Sequence, residues 1–329
     1  MQTRILGRTG RQVSVIGLGT WQLGADWGDV DEADALAVLD AAAEAEVTFF
    51  DTADVYGDGR SESLIGRWLR ENPDADVTVA TKMGRRVDQI PSNYVEANFR
   101  AWLDRSRRNL GVDTIDLVQL HCPPTPVYST DAVFDSLDAL VEEGVIANYG
   151  VSVETTAEAL TAIARPNVAS VQLILNAFRL KPLDEVLPAA AAAGVGIIAR
   201  VPLASGLLSG RYTLDTQFAP DDHRTYNRHG ESFDVGETFS GVDYPTGVRA
   251  AQEFSKLAAA AAPDASTAQV ALAWIARHPA VSTVIPGARN PDQARANAEA
   301  GSLVLPGAFD FEVGELYDRE FRAAVGSKW

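Results

Sequence analysis

Short apolar runs recur along the chain, each followed by a longer segment with apolar positions three and four residues apart, which predicts alternating strands and helices. Strand one is expected over Val15 to Leu18, and further strands over 47–51, 77–81, 115–120, 145–151, 168–174, 195–200 and 281–285. A helical pattern opens at Asp31 and runs to about Glu46, then returns near 61–71, 93–109, 130–143, 155–164, 184–193 and 266–277. The strand-to-strand spacing of roughly 25–40 residues fits right-handed βαβ units, and eight of them favour an α/β fold of the (β/α)8 TIM-barrel type over an open doubly wound sheet. Ahead of the repeat, the first sixteen residues alternate around Gly7-Arg8-Thr9-Gly10, predicting an N-terminal β-hairpin that could plug the barrel floor. The rhythm breaks from about Tyr212 to Gly247, a long loop after strand seven that reads as a functional lid or a disordered segment. No low-complexity linker interrupts the pattern, so residues 1–329 are expected to form one barrel domain.

Composition narrows the partners. A formal net charge of −17 opposes non-specific binding to nucleic acid or an anionic membrane, which leaves a small molecule as the expected partner. Cys122 is the only cysteine, no run is long enough to span a bilayer, and no signal-peptide core follows Met1, so a cytoplasmic location is expected.

Candidate chemistry sits at strand ends. Three successive apolar runs end in Asp51, Lys82 and His121, and Tyr56 follows Asp51 by five positions. In a parallel barrel the carboxyl ends of all strands open onto one face, so these residues are expected to converge. A phenol is a weak acid near neutrality; Lys82 would lower its pKa, Asp51 would hold Lys82 charged, and His121 would donate to a carbonyl oxygen or relay a proton. Taken singly, each residue also reads as a cap, a rim residue or a solvated charge.

In combination they resemble the aldo-keto reductase superfamily. Phe50-Asp51-Thr52-Ala53-Asp54-Val55-Tyr56-Gly57 with Ser61-Glu62, then Ala80-Thr81-Lys82, Asp113 through His121, and Val284-Ile285-Pro286-Gly287-Ala288-Arg289 with Gln293 and Asn297 carry the resemblance, which covers residues 1–300. It implies NADP(H) as cofactor, no metal, and reduction of an aldehyde, ketone or sugar-like carbonyl with Tyr56 as general acid. It further implies cofactor contacts at Gly19, Thr20, Trp21, Asp51, Ser152, Gln172, Arg200, Pro202, Leu203, Ser205, Gly206, Leu207, Gly287, Arg289, Gln293 and Asn297. Val153 stands where relatives commonly carry Asn, and Arg200 where many carry an aromatic residue beneath the nicotinamide; its flat guanidinium could stack instead or pair with a local carboxylate. Asn176 is either a further polar contact or a turn cap. Arg289, ahead of a helix start, favours NADPH. Trp21 is the expected pocket wall, with Trp27, Phe218, Tyr226, Phe233, Phe239 and Tyr244 as apolar cover, while His223 and His229 are too few for a metal site. Two other readings remain: an NAD-linked sugar or alcohol dehydrogenase, and a cofactor-binding regulatory subunit of a larger assembly.

Overall fold

The computed structural model describes residues 1–24 and 31–329. Strands β1 (Thr3–Ile5) and β2 (Gln12–Ser14) pair antiparallel, and eight further strands form one parallel sheet in sequence order: β3 (Leu18–Gly19), β4 (Phe49–Asp51), β5 (Thr78–Met83), β6 (Leu117–His121), β7 (Tyr149–Ser152), β8 (Ser170–Ile174), β9 (Gly196–Arg200) and β10 (Val281–Val284). The seam between β10 and β3 is bridged in parallel by Ile16 with Val284 and Gly19 with Gly287. Gly17 N donates to Val284 O at 2.7 Å and Gly19 N to Pro286 O at 2.9 Å, so the sheet closes on itself and the open-sheet alternative is excluded. Strand one is shorter than its apolar run suggests, because residues 15–17 serve the seam instead of the main ladder.

The helices α1 (Glu32–Glu44), α2 (Arg60–Glu71), α3 (Glu96–Leu110), α4 (Asp131–Glu142), α5 (Thr156–Ile163), α6 (Lys181–Asp184) and α7 (Val186–Ala193) follow the predicted order. Asp31 caps α1 by accepting from Ala33 N at 2.7 Å. Beyond β9 come α8 (His223–Tyr226), α9 (Tyr244–Ala261), α10 (Thr267–Ala276), α11 (Pro291–Glu299), α12 (Phe309–Glu320) and α13 (Arg322–Val325). Four of these, α8, α9, α12 and α13, lie outside the helical patterns of the sequence; α8 falls within the segment read as loop and α9 starts inside it, where Asp243 accepts from Thr246 N at 3.1 Å and Pro245 occupies the first turn. No helix among the described residues is long and apolar enough to cross a membrane.

The hairpin does plug the barrel floor. Leu6 and Val13 are fully buried against Phe49, Ala80, Leu117, Ile198 and Ile285 in a small apolar cluster of their own. Gly7 makes the close approach possible: its φ is +48°, and a Cβ there would lie 2.2 Å from both Ala169 O and Gly196 N. Arg8 then ties the turn to the carbonyls of Arg165, Val168 and Ala193 at 2.8–3.0 Å. Side chains alternate along a strand, so the floor residues Phe49, Ala80, Leu117 and Ile198 share their inward face with Asp51, Lys82, Gln119 and Arg200, each two positions on. An apolar floor therefore forces a polar, ionisable layer directly above it.

Candidate active site

At the carboxyl ends of the strands a cavity of about 730 Å³ opens, lined among others by Gly19, Thr20, Trp21, Asp51, Tyr56, His121, Ser152, Gln172 and Arg200. Lys82 does not line it but lies buried behind Asp51 and Tyr56, which do. With Asp51 it makes a short ion pair in which the two side chains are only 1% and 3% exposed. Lys82 Nζ also donates to Thr52 O at 2.9 Å and reaches Tyr56 Oη at 3.4 Å. The second carboxylate oxygen of Asp51 accepts from Gln172 Nε2 at 2.7 Å and Gln119 Nε2 at 3.2 Å, so the buried charge is fully surrounded by donors. The ring of His121 meets that of Tyr56 edge-on, with centroids 6.1 Å apart.

Local sequence explains the pose of Tyr56. The chain turns sharply after it through Gly57 and Asp58 at φ +57° and +51°, and a Cβ on Gly57 would lie 2.1 Å from Gly24 O. Beneath the turn, Ser61 bonds Thr20 and accepts from Thr52 Oγ1 at 2.9 Å, while Glu62 accepts from Thr81 at 2.6 Å and Asn109 at 2.9 Å. The Ser61-Glu62 pair thus holds the tyrosine-bearing turn to the lysine strand.

The electrostatics correct one expectation. Burial raises the Tyr56 pKa, and Lys82 opposes this without reversing it, because removing a phenolate from water costs more than the neighbouring ammonium returns. Burial acts downward on Lys82, yet Asp51 and Tyr56 hold its ammonium above the ordinary value. Burial, Arg85, Lys82 and Arg200 together press His121 well below the usual imidazole range, so it is neutral at neutral pH.

Arg200 is held in an ion network: it pairs closely with Glu237 of the lid and donates through Nη2 to Val153 O at 3.0 Å and Glu154 at 3.2 Å. These are edge contacts, and they satisfy the local-carboxylate pairing weighed as an alternative to stacking. The Val153 position contributes its carbonyl. Asn176 proves to be structural, accepting from Phe178 N at 2.9 Å and donating to Val201 O at 2.8 Å and Ser240 Oγ at 2.7 Å.

After β9 the backbone enters the left-handed region at Val201, Ala204, Ser205 and Gly206, with φ of 51°, 47°, 55° and 96°. Strain of this kind in side-chain-bearing residues concentrates where a ligand must be approached by the backbone. Pro202, Leu203, Ser205 and Gly206 line the cavity; Leu207 does not, being fully buried, its side chain against the position where Gly247 lacks a Cβ. Gly287, Arg289, Gln293 and Asn297 line the far end, where Gln293 accepts from Arg289 N at 2.9 Å and Asn297 donates to Gly287 O at 3.1 Å.

The segment after β9 forms a lid. It brings Tyr212, His223, Arg224, Ser232, Phe233 and Glu237 to the cavity. Trp21 stacks near Tyr56 at 6.0 Å and meets His223 at 5.5 Å and Phe233 at 6.0 Å. Of the other aromatics expected as cover, Phe218, Phe239 and Tyr244 pack on one another instead, at 5.0–6.1 Å, and Trp27 lies outside the described residues. Gln22, Arg85, His223 and Glu237 were not foreseen as lining residues. Only Arg85, three positions after Lys82, carried a signal in its proximity to a strand end.

Fold and site together define a barrel oxidoreductase. The chain belongs to the aldo/keto reductase family, whose model matches residues 15–309. A probable voltage-gated potassium channel subunit beta from Oryza sativa subsp. japonica is 30% identical over 92% of each chain. Among solved structures, the glycerol dehydrogenase of Gluconobacter oxydans superposes with a TM-score of 0.79 at 30% identity, covering 97% of this chain and 95% of that one. An aldo-keto reductase from Klebsiella pneumoniae in complex with NADPH gives a TM-score of 0.71 at 25% identity over 96% of both.

Proposed function

We propose that this protein reduces small aldehydes, ketones or sugar-like carbonyls with NADPH. The observation that carries the reading is the buried Asp51–Lys82 pair, with Lys82 Nζ 3.4 Å from the Tyr56 hydroxyl and a neutral His121 on the same ring. The cavity suits an elongated dinucleotide: the left-handed backbone of 201–206 would receive the pyrophosphate, Ser152 and Gln172 the carboxamide, and Arg289, Gln293 and Asn297 the adenosine phosphate end. The NADPH complex of the Klebsiella pneumoniae relative supports that choice of cofactor. When bound, the cofactor would supply the hydride.

The chain's own residues manage the proton. Tyr56 keeps its proton at neutral pH because it is buried, and gives it to the carbonyl oxygen as negative charge develops there. The ammonium of Lys82 compensates the phenolate left behind, and Asp51 keeps that ammonium charged and aimed. His121 donates a hydrogen bond to the same oxygen, a preorganised dipole that costs no rearrangement during the reaction. Trp21 and Phe233 exclude water. Loss of NADPH absorbance with a carbonyl panel tests this: Tyr56→Phe should lose about 10²- to 10⁴-fold in turnover with NADPH affinity retained, and wild-type turnover in the variant refutes the role.

The glycerol dehydrogenase relative supports a second reading, oxidation of a small polyol, in which Tyr56 accepts the proton. Comparing NADPH and NADH dissociation constants for the wild type and Arg289→Ala separates an NADP-linked from an NAD-linked enzyme. The channel-subunit relative supports a third, a regulatory subunit. Large assemblies by light scattering combined with negligible turnover would favour it.

A further inference from the structure

The cavity wall beside His121 carries a cation that the catalytic scheme does not use. Arg85 follows β5 by two residues, and its guanidinium is fixed at two points: Nε donates to His121 O at 3.1 Å and Nη2 to Glu154 Oε1 at 3.1 Å. The side chain lines the cavity with Tyr56, His121, Trp21 and Phe233, and is 23% exposed. Among the described residues no hydrogen bond engages its Nη1. The planar fork is therefore oriented by its other nitrogens, anchored to the backbone of His121, and leaves Nη1 available on a side chain that lines the cavity.

Charge balance limits what that donor pair receives. Arg85 and Arg200 face Glu154 and Glu237, and Glu154 bridges both arginines, at 3.1 and 3.2 Å. With Arg179 and Asp234 close by, three cations stand against three carboxylates and leave no net positive field to draw in an anion, and a substrate carboxylate here would also face Glu154. A neutral oxygen acceptor meets no such repulsion. A guanidinium donor whose water is displaced by a substrate that offers no acceptor in its place is costly, so a substrate lacking that oxygen is penalised.

Building on the Tyr56 and His121 reading, we propose that Arg85 is a specificity-determining residue whose Nη1 donates to a second, neutral oxygen on the carbon next to the reacting carbonyl. The substrate class is then the α-oxygenated carbonyls: α-hydroxy aldehydes, α-hydroxy ketones and 1,2-dicarbonyls. The test compares kcat/KM for glyceraldehyde, propanal and glyoxylate with NADPH in the wild type, Arg85→Met, Arg85→Lys and Tyr56→Phe. Wild type should prefer glyceraldehyde to propanal by about 10- to 100-fold, the range of a hydrogen bond to a charged donor. Arg85→Met should abolish most of that preference, and Arg85→Lys should restore part of it. Glu154 keeps Arg200 as partner in either variant, so folding is expected to persist, checked by thermal melting. An unchanged glyceraldehyde-to-propanal ratio in Arg85→Met, with both activities falling together, would reduce Arg85 to holding His121 and overturn the proposal. A wild-type preference for glyoxylate overturns it in favour of an anion site. Failure of the underlying reading looks different: Tyr56→Phe would then leave turnover of both aldehydes standing, or the wild type would turn over none.

Discussion

Lys82→Met removes the ammonium while keeping most of its volume, and its cost can be worked from the site. The charge lies 3.4 Å from the phenol oxygen. Unit charges about 4 Å apart interact by about 4 kcal/mol at an effective dielectric of about 20. Tyr56 is neutral until its proton leaves, so this attraction is realised only as the phenolate forms and acts on kcat, not on binding. Asp51 disfavours the phenolate with or without the ammonium, so its effect cancels in the comparison. The loss is then about 4 kcal/mol, equivalent to about 10³-fold in kcat.

The same substitution strands Asp51, and breaking a buried ion pair costs about 3–5 kcal/mol of stability. Gln119 and Gln172 still donate to Asp51, at 3.2 and 2.7 Å, which places the expected cost toward the lower end. Stopped-flow or steady-state turnover at saturating NADPH and aldehyde reads the first effect; urea unfolding reads the second. Adding Asp51→Asn should recover stability but not kcat. A kcat within about 3-fold of wild type, with cofactor affinity intact, would falsify the electrostatic role of Lys82.

Three further outcomes follow from the structure. Asp54 is fully buried, neither of its side-chain oxygens has a hydrogen-bond partner among the described residues, and burial with nearby Glu62 pushes its pKa up to about 7. The folded protein therefore holds a proton that the unfolded chain releases near pH 4, so this group's contribution falls as pH rises from about 4 to about 7 and is flat above. Asp54→Asn should gain up to about 4 kcal/mol over wild type at about pH 8 and almost nothing at about pH 4, and equal gains in urea melts at both would refute the assignment. Because burial keeps Tyr56 protonated, the reductive kcat should be level between about pH 6 and 8 while oxidation of the product alcohol climbs with pH; an oxidative rate that is flat over that range contradicts the raised pKa. Trp329 is buried under the guanidinium of Arg179 at 3.9 Å and against lid glycines Gly236 and Gly241, so Trp329→Ala should cost about 3–5 kcal/mol and speed proteolysis within 212–243. Unaltered cleavage of that segment would separate Trp329 from the lid.

The strand ends were legible because strand geometry has a period of two, and one apolar floor residue fixes the orientation of everything above it on the same strand. Phe49 predicts Asp51, Ala80 predicts Lys82, and Leu117 predicts Gln119 and then His121. The lid obeys no such period. Its contribution to the site, Glu237 on Arg200, joins residues 37 positions apart through irregular backbone, and nothing local distinguishes Glu237 from other acidic loop residues. Within the left-handed turns of 201–206, neighbouring residues face in directions that spacing does not reveal, so the Leu207 side chain is buried while Ser205 and Gly206 line the cavity. The helix α9 is hard to see in the sequence because it opens inside the irregular segment and its buried face is built largely of small residues, Gly247, Ala250, Ala251 and Ala258, which mark an apolar stripe only weakly. Lys82 does act downward on the Tyr56 pKa, but the net shift is upward, because burial, the larger effect, is a property of the folded lid and pocket and is not written in local sequence.

The lid and the cavity wall beside His121 are joined by one chain of ion pairs. From Arg85, beside His121, the charges alternate through Glu154 and Arg200 to Glu237 on the lid, with each neighbour paired. Glu237 is positioned in turn by its carbonyl, which accepts from Ser205 Oγ at 2.8 Å, and Ser205 Oγ also accepts from Phe239 N at 2.9 Å. Ser205 belongs to the strained turn that faces the expected pyrophosphate. A lid that lifted would therefore do more than admit water: it would strip a buried guanidinium of one carboxylate, at the cost attached to an unpaired internal charge, and release the turn that approaches the cofactor. Opening is thus penalised in residues that a dinucleotide bound as proposed would engage, so its binding there would favour the closed lid.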